Sequence, residues 1–139
     1  MTSLTRYAAT IAALAKPRVL QAQSPAAQEV VHAFRLCALA ARDRTDPLPA
    51  LALRLCNCEA AYAVHDLVRA VAQAWPEPFV VGRACCQRLS PDEATVALLA
   101  EAGCARDRTA FDAAIGGLVR PDRHEPLWAA CTHALMLMR

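Results

Sequence analysis

Apolar residues recur every three or four positions through most of the chain, and prolines stand at the edges of these periodic segments. This spacing places apolar side chains along one face of an α-helix. Proline is tolerated in the first turn of a helix but not in its interior, so each proline marks a start or an end. The pattern predicts an all-α fold, a compact bundle of five to six helices in a single domain over residues 1–139.

The choice of apolar residues also favours helix over sheet. The chain has 32 alanines and 17 leucines but only 12 valines and isoleucines together, a bias toward residues that lose little entropy in a helix. Strand character is confined to Phe79-Val80-Val81. A lone run of this kind has no partner with which to form a sheet, so we expect an extended connection or a short helical turn.

Six segments are predicted to be helical. Asn57 is expected to kink or break the third of them, because its amide can compete for backbone hydrogen bonds. Gly116-Gly117 should end the fifth early, since glycine disfavours helix. The predicted helices cover residues 4–15, ended by Pro17, then 25–42 with Ser24 as the N-cap, 49–75, 91–102, 107–119 and 127–138.

Ser90-Pro91-Asp92-Glu93 has the pattern of a capping box with proline at the first helical position. The serine hydroxyl can accept from the Glu93 amide while the glutamate side chain reaches back to the Ser90 amide. A helix is therefore predicted to begin at Pro91. Gly103 is expected to end it.

The third predicted helix is apolar over a wide arc, which is typical of a helix at the centre of a bundle. Hydrophobic residues make up 56% of the chain, much for a small domain to bury alone. We therefore predict a homodimer or a helical protein partner. The two apolar stripes of this helix are Leu51, Leu55, Cys58, Tyr62 and His65, and Leu53, Cys56, Ala60, Val64, Leu67, Val71 and Trp75.

Several partner classes are not expected. The longest uncharged runs are well below the ~20 apolar residues that cross a bilayer, so no membrane partner is predicted. A net charge of +2 does not favour nucleic acid. An apolar run near the start raises the alternative of a cleaved signal peptide, but Lys16-Pro17-Arg18 suits a short first helix better. Seven cysteines, an odd number outside any loop-rich scaffold, indicate reduced thiols and a cytoplasmic protein.

The candidate metal ligands are the paired cysteines Cys56, Cys58, Cys85 and Cys86, with His32 and His65 as possible neighbours. Thiolate and imidazole suit zinc, but residues two apart on a helix point to different sides of its axis. Packing is the alternative, because Cys37, Cys56, Cys58 and Cys131 all fall on apolar stripes. Cys85 and Cys86 have the best case for reactivity, since Arg83 and Arg88 flank them and cations favour thiolate.

Two further patterns are weaker. Glu29-Val30-Val31-His32 has the spacing of a di-iron ligand pair, but the second such motif is absent. Residues 94–117 could form a helix-turn-helix with Arg106 and Arg108 at the second helix, but two ordinary packed helices explain them better, because the connection from Gly103 to Asp107 is longer than the usual tight turn. No cofactor-binding or catalytic motif is present, so neither a cofactor nor an enzyme activity is expected.

The block Cys85-Cys86-Gln87-Arg88-Leu89-Ser90-Pro91-Asp92-Glu93 resembles a block in a family of small uncharacterised proteins from alphaproteobacteria. The resemblance implies a bacterial cytoplasmic protein and assigns no role to any residue. Taken together, the sequence predicts a noncatalytic helical interaction or regulatory domain that self-associates. The alternative is a thiol-redox or metal-binding protein that uses Cys85 and Cys86.

Overall fold

The computed structural model describes residues 18–138. This part of the chain forms six α-helices and two short 3-10 turns, without a strand, which confirms the all-α prediction. The predicted helix over residues 4–15 lies outside the described residues. The helices are α1 (Pro25–Arg42), α2 (Leu48–Leu55), α3 (Cys58–Ala74), α4 (Pro91–Cys104), α5 (Arg108–Ile115) and α6 (His124–Leu137).

Helix α1 has the bounds that the sequence predicts. The Ser24 hydroxyl accepts from the Ala27 amide at 3.2 Å, and Pro25 occupies the first turn. Val30, Phe34 and Cys37 of the predicted stripe are buried. Side chains at this spacing form the face that α1 turns toward the core.

The single long helix predicted over residues 49–75 is wrong, because the chain breaks into α2 and α3 near Asn57. Cys56 adopts a left-handed conformation with φ 54° and Asn57 is extended. The Asn57 side chain accepts from the amides of Glu59 and Ala60, at 2.9 and 3.2 Å, and so caps α3. The predicted position of the break is right. The break is complete, so that the chain forms two separate helices.

The break changes which side chains are buried. Ala60, Val64, Leu67, Val71 and Trp75 keep their predicted places in the core. Leu53 and Tyr62, which a continuous central helix would bury, are 82% and 61% exposed. The predicted central position therefore holds for one stripe of α3, whereas α2 buries Leu51 and exposes Leu53.

In the connection between α3 and α4, Phe79-Val80-Val81 is neither helix nor strand, so the predicted helical turn is absent there. The connection ends beside the start of the described chain. Val19 and Arg88 form an isolated antiparallel bridge. Two backbone hydrogen bonds flank it, from the Leu20 amide to the Gln87 carbonyl and from the Leu89 amide to the Arg18 carbonyl.

Helix α4 begins with the predicted capping box, in which both reciprocal hydrogen bonds are present. Its predicted end at Ala102 is wrong, since α4 continues through Gly103 to Cys104. A Cβ on Gly103 would lie 2.6 Å from Leu135 Cδ1. This glycine therefore permits close packing of α4 against α6 and does not end the helix.

Helix α5 ends before Gly116-Gly117, as predicted, with Gly117 at φ 80°. Helix α6 then buries Leu127, Cys131 and Leu135 of its predicted stripe. The buried side chains form one continuous core. In it α3 packs against α1, α2 and α6, while α4 packs against α1, α5 and α6. No helix among residues 18–138 is both long and apolar enough to cross a bilayer.

Candidate functional site

Arg35 of α1 and Glu93 of α4 form a buried ion pair. Arg35 Nε donates to Glu93 Oε2 at 2.7 Å, and Nη2 donates to Oε1 at 3.1 Å. The two side chains are 2% and 0% exposed. A guanidinium and a carboxylate in this two-bond geometry form one of the stronger contacts available to protein side chains. The pair joins the two helices in the core.

The same guanidinium holds the loop that carries the cysteine pair. Arg35 Nη1 donates to the Cys86 carbonyl at 2.7 Å and Nη2 donates to the Arg88 carbonyl at 3.2 Å. Carbonyl groups that are partly shielded from water need a donor, and here one side chain supplies donors to two such carbonyls. Arg35 therefore sets the path of the chain between the extended connection and α4.

Glu93 is shared between the capping box and the ion pair. Its Oε1 accepts from the Ser90 amide at 2.9 Å as well as from Arg35. The backbone of Gly82 lies beside this carboxylate and helps to lower its pKa. A Cβ on Gly82 would lie 2.9 Å from Arg35 Nη2 and 3.2 Å from Glu93 Oε1. The close approach of the connection to the ion pair thus requires glycine at this position.

The electrostatics of the pair agree with its geometry. Burial favours the neutral carboxyl of Glu93, but hydrogen bonds from Arg35 and Ser90, together with the nearby Gly82 backbone, outweigh it and lower the Glu93 pKa. The hydrogen bond with Glu93 raises the pKa of Arg35. Both groups are therefore charged at neutral pH, and each compensates the other.

A cleft runs along α1 beside this ion pair. Its larger cavity, of about 560 Å³, is lined by Arg35, Ala38, Leu39, Arg42, Val81, Gly82, Arg83 and Ala84. A smaller apolar cavity of about 190 Å³ is lined by Phe34, Cys37, Ala38, Ala41, Val68, Ala72, Phe79 and Val81. Ala38 and Val81 line both cavities, so the two are neighbours. We call them together the α1 cleft.

The chemistry of the α1 cleft suits binding better than catalysis. Its described lining combines apolar side chains with three arginines and contains no carboxylate. A nucleophile paired with a general base is absent from these lining residues. Cys37 is the one thiol among them, and burial raises its pKa to about 11, which keeps it protonated and unreactive.

The predicted packing role holds for two cysteines and is wrong for two others. Cys37 and Cys131 are buried, whereas Cys56 and Cys58 are exposed at the turn between α2 and α3. The pKa of Cys131 is raised to about 12 by burial, with a smaller effect of Cys104. Because Cys56 and Asn57 are not helical, the helical spacing argument against a shared metal does not apply to Cys56 and Cys58.

Cys85 is exposed and Cys86 half-buried, in the nonhelical loop that the sequence predicts. Within residues 18–138, no three His, Cys, Asp or Glu side chains are arranged to hold a metal ion. The structure therefore does not bring the four candidate cysteines together with His32 and His65 into one site. Metal binding or redox chemistry by a cysteine pair alone stays a prediction.

The two weaker patterns have ordinary structural explanations. The Glu29 carboxylate accepts two hydrogen bonds from Arg54, at 3.0 and 3.1 Å, and is thus held by a cation beside His32. Burial and then the charge of Arg54 lower the pKa of His32. Arg108 pairs with Asp112 and Glu125 and lies over the Trp128 ring. It therefore holds α5 to α6, as expected for two packed helices.

Comparison with family models, curated proteins and solved structures found no match. The resemblance of the block from Cys85 to Glu93 to a family of alphaproteobacterial proteins therefore stays a prediction.

Arg35, which organises this region, is not among the site residues predicted from the sequence. A signal for it exists, because Arg35 lies one helical turn after Val31 and next to Phe34, both of which are buried. An arginine on the apolar side of a helix needs a partner. The partner could not be identified from sequence, since Glu93 is 58 positions away and already had a role as a capping residue.

Proposed function

We propose that this chain is a noncatalytic helical domain that acts through protein contacts and that it self-associates as a homodimer. The supporting observation is an apolar surface on α2 and α3, which we call the hairpin patch. It comprises Leu48, Pro49, Ala52, Cys58 and Tyr62, which line one shallow cavity, and the exposed Leu53, which follows Ala52 in α2. The cavity has a volume of about 250 Å³, and Asp46 contributes the one charged side chain to its described lining.

The exposure of the hairpin patch has a cost that a second copy would remove. Leu53 and Tyr62 are 82% and 61% exposed. Burial of a leucine or an aromatic side chain stabilises by about 1.5–3 kcal/mol. In a two-fold symmetric dimer each patch contacts its own copy, so every buried residue contributes twice. Patches of this kind on a helical surface are typical of interfaces.

Light scattering after size-exclusion chromatography tests the proposal. We expect the full chain to elute with twice its mass of 15.0 kDa and Leu53→Glu to elute as a monomer, because a buried charge at the interface is costly. Val80→Glu is the matched control. Val80 is also an exposed apolar residue, but it lies beyond the other end of α3.

A monomer at all concentrations from micromolar to millimolar would contradict self-association. A dimer that persists in Leu53→Glu would retain self-association and exclude the hairpin patch as its interface. Circular dichroism of each variant shows whether the fold is kept. Loss of the dimer in Val80→Glu as well would indicate a nonspecific effect of added charge.

The second candidate function is thiol chemistry at Cys85 and Cys86. The observation that favours it is the position of this vicinal pair in an exposed loop whose backbone Arg35 fixes. A fixed pair of neighbouring thiols can bind a soft metal ion. Such a function needs only these two residues and not a larger ligand group.

Alkylation under native conditions, followed by mass spectrometry, distinguishes this function from mere exposure. Cys37 and Cys131 are buried, with pKa values raised to about 11 and 12, so they should label slowest in either case. The informative comparison is with Cys56, Cys58 and Cys104, which are exposed as well. A functional pair labels faster than these three, whereas equal rates would exclude special reactivity at Cys85 and Cys86.

A further inference from the structure

The connection over residues 79–83 lies against the N-terminus of α4 along one side. The Val80 amide donates to Asp92 Oδ2 at 2.8 Å, and the Val80 carbonyl accepts from the Ser90 hydroxyl at 2.6 Å. The Gly82 backbone also lies against α4, since a Cβ on Gly82 would lie 3.2 Å from Glu93 Oε1. The capping residues of α4 thus meet Val80 and Gly82, at alternate positions of this segment.

The residues between them have no backbone partner. Within residues 18–138, neither Phe79 nor Val81 makes a backbone hydrogen bond. Val80 directs both of its backbone groups toward α4, as a residue of an extended chain does, and in such a chain the groups of the neighbouring residues point to the opposite side. The polar groups of Phe79 and Val81 therefore lie along the side opposite to α4. They form a short free edge of the kind that pairs with an added strand.

The α1 cleft lies beside this edge. Phe79 packs on Phe34 and Trp75, with ring centroids 4.9 and 5.4 Å apart, and forms a wall of the smaller cavity. Val81 lies between this apolar end and the end lined by arginines. A chain that paired with residues 79–83 would have pockets of two kinds available to its side chains.

The arginine end of the cleft carries uncompensated positive charge. Arg83 has no carboxylate within 4 Å in the described part of the chain, and Arg42 has only the solvent-exposed Asp43 at 3.7 Å. Four hydrogen bonds occupy four of the five N–H groups of Arg35. The remaining N–H group, on Nη1, has no partner among residues 18–138. Residues 1–17 contain no acidic side chain that could neutralise these arginines.

We propose that the α1 cleft binds an extended acidic peptide of a partner protein, which adds as a strand to residues 79–83. The peptide backbone bonds to Phe79 and Val81. One apolar side chain of the peptide enters the smaller cavity, and one carboxylate side chain contacts Arg42 and Arg83. Main-chain hydrogen bonds then supply affinity while alternate side chains supply specificity, as in other cases of strand addition.

The geometry defines the peptide motif. The four residue steps from Phe79 to Arg83 correspond to about 13 Å of extended chain. Side chains two or four positions apart in a strand lie on the same face. The apolar and acidic residues of the partner should therefore be two or four positions apart. This site shares no residue with the hairpin patch, so it is independent of self-association.

A small amphiphilic anion is the competing occupant, because it could also contact both ends of the cleft. It would leave the amides and carbonyls of Phe79 and Val81 without partners, whereas a peptide strand satisfies them. The free edge therefore favours the peptide.

The test measures fluorescence anisotropy of labelled octapeptides titrated with the full chain. The peptides alternate valine with threonine and carry glutamate two or four positions from a leucine. We expect a Kd on the order of 10 μM. Methylation of alternate backbone nitrogens, or lysine in place of glutamate, should weaken binding at least about tenfold.

Variants of the chain locate the site. The double change Arg42→Glu and Arg83→Glu should weaken binding at least about tenfold, whereas Arg123→Glu, which reverses an exposed charge outside the cleft, should alter it less than about twofold. Hydrogen exchange gives a second measure. In the free chain the Val81 amide should exchange faster than that of Val80, and bound peptide should protect it.

Four outcomes would overturn the proposal. No peptide of the panel binds at millimolar concentration; N-methylated and unmethylated peptides bind equally; or decanoate, a small amphiphilic anion, binds while the peptides do not. Equal effects of the cleft variant and of Arg123→Glu would place any binding elsewhere and overturn it as well.

Discussion

At the scale of single residues, Arg35 connects α1 to both α4 and the loop before it. It compensates the charge of Glu93 and supplies donors to the carbonyls of Cys86 and Arg88. A charge in a protein interior is tolerated only when its hydrogen bonds and its opposite charge are both present. Removal of either partner therefore affects α1, α4 and the loop between them together.

We expect Glu93→Gln to lower the free energy of unfolding by about 3–5 kcal/mol, because it leaves the Arg35 charge uncompensated in the core. Removal of both charges, in Arg35→Met with Glu93→Leu, should cost less than the two single changes added together. Urea denaturation at neutral pH measures each value. Arg54→Ala breaks the half-exposed pair with Glu29 and should cost at most about 1 kcal/mol.

The pH dependence of unfolding follows from the same pair. The folded pKa of Glu93 lies below its ordinary value of 4.5. The stabilisation that this shift provides is complete above the unfolded pKa and is lost as pH falls through the folded pKa. The wild-type chain should therefore lose more stability than Glu93→Gln on acidification below pH 4.5. Parallel pH profiles of the two chains would contradict this role of Glu93.

At the scale of helices, short polar side chains cap the start of four of the six α-helices in residues 18–138. Ser24, Asn57, Ser90 and Asp107 cap α1, α3, α4 and α5. Each accepts a hydrogen bond from an amide in the first turn, which would otherwise lack a partner. Because these contacts span two or three residues, they can be recognised in the sequence.

Ser90→Ala should destabilise the fold by about 1–2 kcal/mol. The Ser90 hydroxyl accepts from the Glu93 amide at 3.0 Å and donates to the Val80 carbonyl, so its loss affects α4 and the connection to it. Thermal or urea denaturation measures the effect. Thr95→Ala is the control, since that hydroxyl bonds only to Pro91 within the helix. Equal losses of stability in the two variants would mean that the Ser90 cap stabilises the fold no more than the Thr95 hydrogen bond within the helix does.

At the scale of the whole molecule, the distance between α4 and α6 depends on the absence of a side chain at Gly103. Leu135 Cδ1 and Cys131 Sγ occupy the space where a Cβ would lie, at 2.6 and 3.2 Å from it. Protein interiors are too densely packed to accept an added methyl group without movement. The arrangement of these two helices is therefore sensitive to one carbon atom.

Gly103→Ala should lower stability by about 1–3 kcal/mol from overpacking, although alanine has the higher helix propensity. In a Leu135→Ala background the same change should be close to neutral or stabilising, because the obstructing methyl group is gone. A double-mutant cycle in urea measures this coupling. An equal cost of Gly103→Ala in both backgrounds would show that Leu135 is not the cause.

The sequence alone was sufficient for the features whose causes are local. The helical class, the start of α1 at Pro25, the capping box of α4 and the end of α5 before Gly116 all follow from propensity, spacing and hydrogen bonds within a few residues. The break near Asn57 was also recognisable as a position. Its size was not, because only packing of the two segments decides between a kink and a turn.

The tertiary structure alone decided everything that joins distant parts of the chain. Arg35 meets Glu93 across 58 positions, Gly103 is a contact with α6 and not a helix end, and Leu53 is exposed although it falls on a predicted apolar stripe. The α1 cleft exists because Gly82 lets the connection approach that ion pair. A sequence pattern records which face of a helix is apolar. It does not record which other helix that face meets, since that choice depends on packing summed over the whole core.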